Sequence, residues 1–426
     1  MESPELWSHI SHTQAARPEF LAVLLARSQD SPVDLLELRV IDENDPLIKI
    51  ILPHMHHIRT IKLCFFSQQT GFSSGSLAYN VLSSRAPILE HLSIFSAFFA
   101  HSALPLDTID SPFSGVAPVL RTVQLMAISR MPPFFASLPE SGRSRIHTLS
   151  MGGYRCSLSY QRVETIISLT PSLRILNLEL RSWANNPEFG EPPPIPSTLR
   201  RLNIRATHSR GLCPQDMLPE RIGWDRVPRV HMAFVRTGRI EDFDRQAFLP
   251  RNGAPIIQLE VGDEVGTDLM HVRTTHADGC VRMYCGIHPG RAAGLLDNNA
   301  AATVRTLVAS AAASSATMIC AVTWPNISCL RIITDGLQSK VEAFATALAQ
   351  VVRFGALQRI EYAALRQWDS SWDRSSVNEI LSRTFQYADG APEVQIVEIP
   401  SSERERQKDG IEPDSAWFLQ PPFEWK

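Results

Sequence analysis

What this chain lacks narrows its function before anything it contains. Nowhere do its residues form the uninterrupted run of about 20 apolar positions that a membrane-spanning helix needs. The nearest approach, Ala300 to Val322, is Ala/Ser-rich and broken by Arg305, and it reads as small-residue helix or strand packed inside a soluble domain. Glu2 and Glu5 stand where a secretory leader would carry lysine or arginine. A charge excess is missing too: 41 Lys and Arg against 44 Asp and Glu leave a net −3, too small a field to argue for nucleic acid or anionic lipid as partner. The seven cysteines are odd in number and unclustered, which excludes a disulfide framework and points to reduced thiols in a cytoplasmic or nuclear protein. P-loop, HExxH and dinucleotide fingerprints are absent. What remains, 44% hydrophobic and 20% charged residues, is the composition of a chain that buries a core.

What is present is a repeat. "LEHLSI" (89–94), "LRTVQL" (120–125), "IHTLSM" (146–151), "LRILNL" (173–178) and "LRRLNI" (199–204) each place apolar residues at positions i, i+3 and i+5. The pattern recurs at Leu35/Leu38/Val40, Ile58/Ile61/Leu63, Val227/Val230/Met232, Ile256/Leu259/Val261, Val304/Leu307/Ala309, Ile327/Leu330/Ile332, Leu357/Ile360/Tyr362 and Val394/Val397/Ile399. A weaker copy falls at Val281/Met283. Successive starts lie about 23–37 residues apart, the period of leucine-rich repeats. The i+3 and i+5 side chains share one face of a short strand. One unit cannot bury that face alone, so neighbours must stack.

Punctuation supports the same reading. Proline stands two residues before the first apolar position at Pro87, Pro118, Pro171, Pro325 and Pro392, where a returning segment ends and a strand begins. "YQRVETIISLT" and "LQSKVEAFATALAQVV" carry apolar residues at helical spacing between strands. The expected fold is α/β: a leucine-rich-repeat-like αβ solenoid (a horseshoe) with irregular repeats. Its expected parts are a helical N-terminal segment over 1–30, the solenoid over 31–400, and a charged then aromatic tail over 401–426. The stretch 184–198 reads as a stiff Pro-rich loop.

The opening "SPELWSHIS", followed by "RPEFLAVLLARSQDSPVDLLELRV", resembles fungal F-box proteins of the kind found in mushroom-forming fungi. In that family a P-x-L-W-S-x-I segment leads from the F-box into irregular repeats with AP-x-LExL-x-I units, and "APILEHLSI" (86–94) and "TPSLRILNL" (170–178) are similar in style. The resemblance implies substrate recruitment to a cullin-RING ubiquitin ligase through an adaptor that grips the F-box. The F-box itself would stand before Pro4, where this sequence has three residues. The expectation is therefore a truncated receptor, the alternative a stand-alone repeat scaffold for protein–protein interaction with no ligase link. By the resemblance, Pro4, Leu6, Trp7 and Ile10 would form the junction with the adaptor-binding module, with Trp7 filling the joint.

Positions i+2, i+4 and i+6 of each strand face away from the repeat core. Their mixed polar character suits a protein or peptide partner and not an enclosed apolar ligand. From Leu199 to Arg251 eleven arginines meet six acids, and Arg201, Arg205 and Arg229, with His231, are the candidate partner-binding residues. Clustered guanidinium groups suit bidentate capture of carboxylate or phosphate; a solvated surface paired with Asp216, Asp225 and Asp242 is the plainer reading.

No catalytic residue, cofactor or metal ligand is assigned. "GFSSG" (71–75) matches the nucleophile-elbow pattern, but "SQQT" separates it from the preceding strand and no Asp/His partners can be placed. "HVRTTHADGCVRMYCGIH" holds the most plausible zinc ligands, His271, His276, Cys280, Cys285 and His288. With Val281 and Met283 inward, however, Cys280 and Cys285 point to opposite sides of the strand, and "HADGC" reads as a turn with Asp-Gly at its tip. "HMHH" (54–57) reads as a surface loop before the second repeat strand.

Overall fold

The computed structural model describes residues 3–11, 17–41, 44–65, 76–96, 104–105, 112–126, 128–129, 135–152, 157–158, 160–180, 182–183, 196–206, 226–234, 254–263, 269–288, 298–334, 338–351, 356–364, 374–385 and 395–398. The nucleophile-elbow stretch, most of the Pro-rich loop, and the charged tail lie outside them. The chain divides into two compact units, Met1–Val227 and Pro228–Lys426, and the division falls inside the span expected as one repeat domain.

The first unit contains strands β1 (His9–Ser11), β2 (Val33–Val40), β3 (Ile58–Phe65), β4 (His91–Ser96), β5 (Leu104–Pro105), β6 (Thr122–Met126), β7 (Ile128–Ser129), β8 (Thr148–Gly152), β9 (Ser157–Leu158), β10 (Ile175–Leu180), β11 (Ser182–Trp183) and β12 (Arg201–Ala206). Its main sheet runs β1-β2-β3-β4-β6-β8-β10-β12, with every pair parallel. Two-residue strands pair beside it as β5 with β7 and β9 with β11.

The triplet spacing sets this sheet. Leu89, Leu92 and Ile94, then Leu120, Val123 and Leu125, Ile146, Leu149 and Met151, and Leu173, Leu176 and Leu178 are all buried. The second and third of each triplet pair with their equivalents on the next strand, so apolar rows run continuously across the sheet. The prolines open turns, and Pro171 does so just after helix Tyr160–Leu169 ends and before the next strand begins. The Leu89 amide donates to the Ala86 carbonyl at 3.2 Å and the Leu173 amide to Thr170 at 3.1 Å, which places Pro87 and Pro171 second in a four-residue turn, where their fixed φ costs nothing. Helices Pro18–Ser28, Pro46–Ile51, Leu77–Ser83 and Tyr160–Leu169 return between strands. Asp45 caps the second, its Oδ1 accepting from the Leu47 amide at 2.9 Å, and Ser76 caps the third through the Tyr79 amide at 3.1 Å. Val163, Ile166, Ile167 and Thr170 of the fourth are buried, as their helical spacing requires.

The second unit contains β13 (Arg229–Phe234), β14 (Ile256–Asp263), β15 (Met270–His276), β16 (Val281–Ile287), β17 (Thr306–Ser310), β18 (Cys329–Thr334), β19 (Arg359–Ala364) and β20 (Gln395–Glu398). Helices Ala313–Cys320, Gln338–Val351 and Arg374–Phe385 return between its later strands. The stretch Ala300–Val322 becomes a helix end, β17 and the first of these helices. Among the described residues no helix is long and apolar enough to cross a membrane.

Here the simple repeat order fails. The sheet runs β13-β16-β15-β14-β17-β18-β19-β20, and β15 is antiparallel to both its neighbours. A hairpin turns at Asp278-Gly279: the Cys280 amide donates to Asp278 Oδ1 at 2.9 Å, and Gly279 has φ +81°. The chain thus runs up β14, down β15 and up β16, so that β16 and not β14 lies against β13.

Three repeat copies sit in a different register from that expected. In β16, Arg282 pairs with Val230 and Tyr284 with Met232, so Arg282 and Tyr284 occupy the core positions and Val281 and Met283 face the other way. In β2, irregularities between Val33 and Asp34 and between Leu35 and Leu38 leave Val33 opposite Ile58, Leu35 opposite Ile61 and Arg39 opposite Cys64. In β20, Ile396 pairs with Ile360, which turns Val397 outward beside Glu361. Because side chains alternate, a one-residue slip exchanges the two faces.

Candidate binding face

The face of the first sheet opposite its apolar rows is built from three further rows in strict register. The i+2 row is Thr60, His91, Thr122, Thr148, Ile175 and Arg201. The i+4 row is Lys62, Ser93, Gln124, Ser150, Asn177 and Asn203, and the i+6 row is Cys64, Phe95, Met126, Gly152, Glu179 and Arg205. Parallel strands of matched register place like positions beside one another, so a property common to one repeat position becomes a stripe across the sheet.

The middle stripe is hydrogen-bonded sideways. Ser93 Oγ donates to Gln124 Oε1 at 3.1 Å, Asn177 Nδ2 to Ser150 Oγ at 2.8 Å, and Asn203 Nδ2 to Asn177 Oδ1 at 2.6 Å. Lys62 is exposed and Ser93 and Gln124 are half-buried, whereas Ser150, Asn177 and Asn203 are buried. The stripe therefore passes from open at β3 to covered at β12. A buried amide must find partners, and here its neighbours in the same row supply them.

The edge near β1 carries a charge cluster. Arg59 grips Asp34 through Nε and Nη2, the Nε bond to Oδ1 being 3.0 Å, and His9 Nε2 lies 3.3 Å from Asp34 Oδ2. Burial pushes the Asp34 carboxyl up, but hydrogen bonds from Arg59 and Thr60 and the charges of Arg59 and His9 outweigh it and hold the group below its usual value.

The expected partner-binding residues divide between the two units. Arg201 and Arg205 are on β12, only 8% and 9% exposed, with Arg205 paired in register with Glu179. Burial raises the Glu179 carboxyl, and the Arg205 charge only partly offsets it. Arg229, on β13, is exposed. His231, two residues on, is buried with Nε2 3.3 Å from Cys285 Sγ, and Cys285 packs with Ala233 and Met283. Asp216, Asp225 and Asp242 lie outside the described residues.

The outward face of the second unit is ionic. Glu260, Val308, Arg331, Glu361 and Val397 form one in-register row. Glu361 accepts from Arg331 Nη2 at 2.6 Å and from Arg359 Nε at 2.8 Å. Glu260 lies 3.5 Å from Arg273 Nη1 and 3.8 Å from His271 Nε2. These acids and bases are already paired with one another, which leaves little unsatisfied charge to attract a ligand. The same unit has an apolar cleft of about 530 Å³ between helices Ala313–Cys320 and Gln338–Val351, walled by alanines and Phe344, with Lys340 its one charged lining residue.

The presumed zinc cluster does not converge. His271 sits on Glu260, while His276 turns to the other face, with Nδ1 3.1 Å from the Ala254 carbonyl and Nε2 3.1 Å from Thr274 Oγ1. Cys285 belongs to His231. "HMHH", by contrast, is no open surface loop: His57 is buried and stacks edge-on against both His54 and His56. Asp30 lies 3.6 Å from His56 Nε2.

Of the junction residues, Pro4, Leu6 and Trp7 form a short 3-10 turn and Ile10 enters β1, which pairs with β2. Trp7 is half-buried with the Arg27 guanidinium 4.8 Å above its ring. Ile10 is buried and Leu6 is 74% exposed, and Phe20 and Val23, three residues apart on the neighbouring helix, are exposed as well. Against known proteins, the chain matches no family model and no curated protein.

Proposed function

We propose that this chain is a non-catalytic recognition scaffold of leucine-rich-repeat-like solenoid type, the substrate-receptor part of an F-box-like protein. The observation that carries the reading is the outward face of the first unit, where side chains of small, hydrogen-bonding type line up across β3, β4, β6, β8, β10 and β12. Such a face offers a regular lattice of donors and acceptors to an extended or loop segment of another protein.

Exposed Leu6, Phe20 and Val23 support the second half of the proposal. They form an apolar surface beside the 3-10 turn and the first helix, where the resemblance to F-box proteins puts the adaptor-binding module. Recognition of an anionic target motif falls to Arg229, the exposed member of the arginine set.

Two measurements test this. Charge reversal of Lys62 together with Gln124→Arg, both on the open part of the middle row, abolishes target capture and leaves folding intact. Capture undiminished in that variant refutes the face. Separately, the chain is mixed with ligase adaptor and cullin, alone and with its genomic upstream extension. Target binding without adaptor binding in both forms establishes the alternative, a stand-alone repeat scaffold.

A further inference from the structure

Three groups that accept cations meet at the end of the first helix. His57 Nδ1 lies 3.0 Å from His56 Nε2, and His56 Nε2 lies 3.6 Å from Asp30 Oδ1. One ligand atom from each of the three residues is within 4.8 Å of the other two.

The hydrogen bonds around the cluster decide which nitrogens carry protons. His56 Nδ1 is 3.0 Å from the Pro53 carbonyl, an acceptor only, so the proton of a neutral His56 sits on Nδ1. Its Nε2 then turns a lone pair toward Asp30 and His57. Ser28 Oγ donates to the Leu25 carbonyl at 2.7 Å, which spends its single proton. Toward His57 Nε2, at 3.5 Å, Ser28 can only accept, and the 3.0 Å contact of His57 Nδ1 with His56 Nε2 holds either a proton on His57 Nδ1 or a cation shared by the two nitrogens. In the second case two imidazole nitrogens and the Asp30 carboxylate oxygen share one ion.

Neutral imidazole is the form that binds metal. A tetrahedral ion with bonds of about 2.0–2.2 Å spaces its ligand atoms about 3.3–3.6 Å apart, close to the separations present. The other ring nitrogen of each histidine is held by a carbonyl or hydroxyl, the usual support for a ligating imidazole.

We propose that Asp30, His56 and His57 form a binding site for one divalent transition-metal ion of the zinc class. The Asp30 side chain is 96% and the His56 side chain 57% exposed, so solvent completes the coordination shell and a further ligand can replace it. The ion ties the loop after helix Pro18–Ser28, which leads into β2, to the turn entering β3, and so holds β2 against β3.

The test uses the full chain without an affinity tag, stripped with chelator and titrated with Co²⁺ as a spectroscopic probe and with Zn²⁺ in competition. The expected result is one Co²⁺ per chain, visible bands of nitrogen and oxygen ligation, and displacement by Zn²⁺. His56→Ala and Asp30→Asn each weaken binding by about tenfold or more with an unchanged circular dichroism spectrum. Near-ultraviolet thiolate-to-cobalt absorption would place the metal at cysteine and overturn the proposal. So would unchanged affinity in both variants, or no uptake at millimolar metal. Should His56→Ala fail to fold, Asp30→Asn, whose side chain stands in solvent, decides.

Discussion

Replacing Gly152 by alanine will unlock the first sheet at one defined point. Gly152 ends β8 with φ +125°, a backbone conformation that side-chain-bearing residues rarely adopt. A Cβ there would stand 1.8 Å from the Glu179 carbonyl oxygen and 2.8 Å from the Glu179 amide nitrogen, both backbone atoms of β10. The φ alone costs about 1–3 kcal/mol for a non-glycine residue. Relieving the clash means drawing β8 away from β10 at its end, which forfeits one or two ladder hydrogen bonds at about 1 kcal/mol each. The sum, about 2–5 kcal/mol, is a large part of the 5–15 kcal/mol that holds an ordinary domain. Gly279 is the control: φ is +81°, but nothing lies within 4 Å of its Cβ, so Gly279→Ala costs only about 1 kcal/mol. Urea unfolding followed by hydrogen-exchange mass spectrometry on peptides from β8 and β10 reads the difference. If Gly152→Ala costs no more than Gly279→Ala, or if exchange in β10 is unchanged, the close approach of the two strands is wrong.

The other expectations follow from the same geometry. Asn177→Ala removes two row hydrogen bonds and strands Asn203 Nδ2, at a cost of about 2–3 kcal/mol. A double-mutant cycle with Asn203→Ala should return about 1 kcal/mol of coupling, and a coupling of zero would dissolve the row. Held neutral when folded, His57 takes up a proton more readily when unfolded. Stability of the first unit is then fully present above about 6.5 and falls as pH drops toward about 4, by at most about 1.4 kcal/mol per pH unit. Below that window the depressed Asp34 carboxyl adds a second loss as it protonates and releases Arg59. Denaturation against pH in chelator should show both phases, and His57→Asn should reduce the first, to which His54, His91 and His147, also lowered by burial, contribute the rest. Leu6→Asp with Val23→Asp should abolish adaptor binding while leaving thermal stability within about 0.5 kcal/mol, because both side chains are already exposed. A large stability loss would assign them to packing instead.

The legible part of the fold was the part governed by local burial. Leu120, Val123 and Leu125 had to lie on one side of a strand whatever their neighbours, since alternation along a strand is a property of the backbone itself. Helix Tyr160–Leu169 was legible for the same reason at a different period. Strand β16 was not. Val281, Met283 and Cys285 look like an apolar face and Arg282 like a surface residue, yet pairing with Val230 and Met232 turns Arg282 and Tyr284 into the core. There Arg282 Nη1 donates to the Pro228 and Val281 carbonyls at 3.2 Å and 3.0 Å, which a sequence pattern has no means of anticipating. The histidine cluster was hidden likewise, because Asp30 and Ser28 reach it across the fold.

By itself the sequence determined that short strands would alternate with helices, which side chains would form their apolar rows, and where turns would interrupt them. Those depend on φ/ψ preference and hydrophobic spacing within about ten residues. The tertiary structure alone decided that β16 lies beside β13 with β15 reversed between β16 and β14, that the arginines of β12 are buried, and that Asp30 meets His56 and His57. Strand neighbours and side-chain clusters are set by hydrogen-bond partners and packing drawn from distant parts of the chain. A one-residue change of register costs nothing locally and exchanges the two faces of a strand.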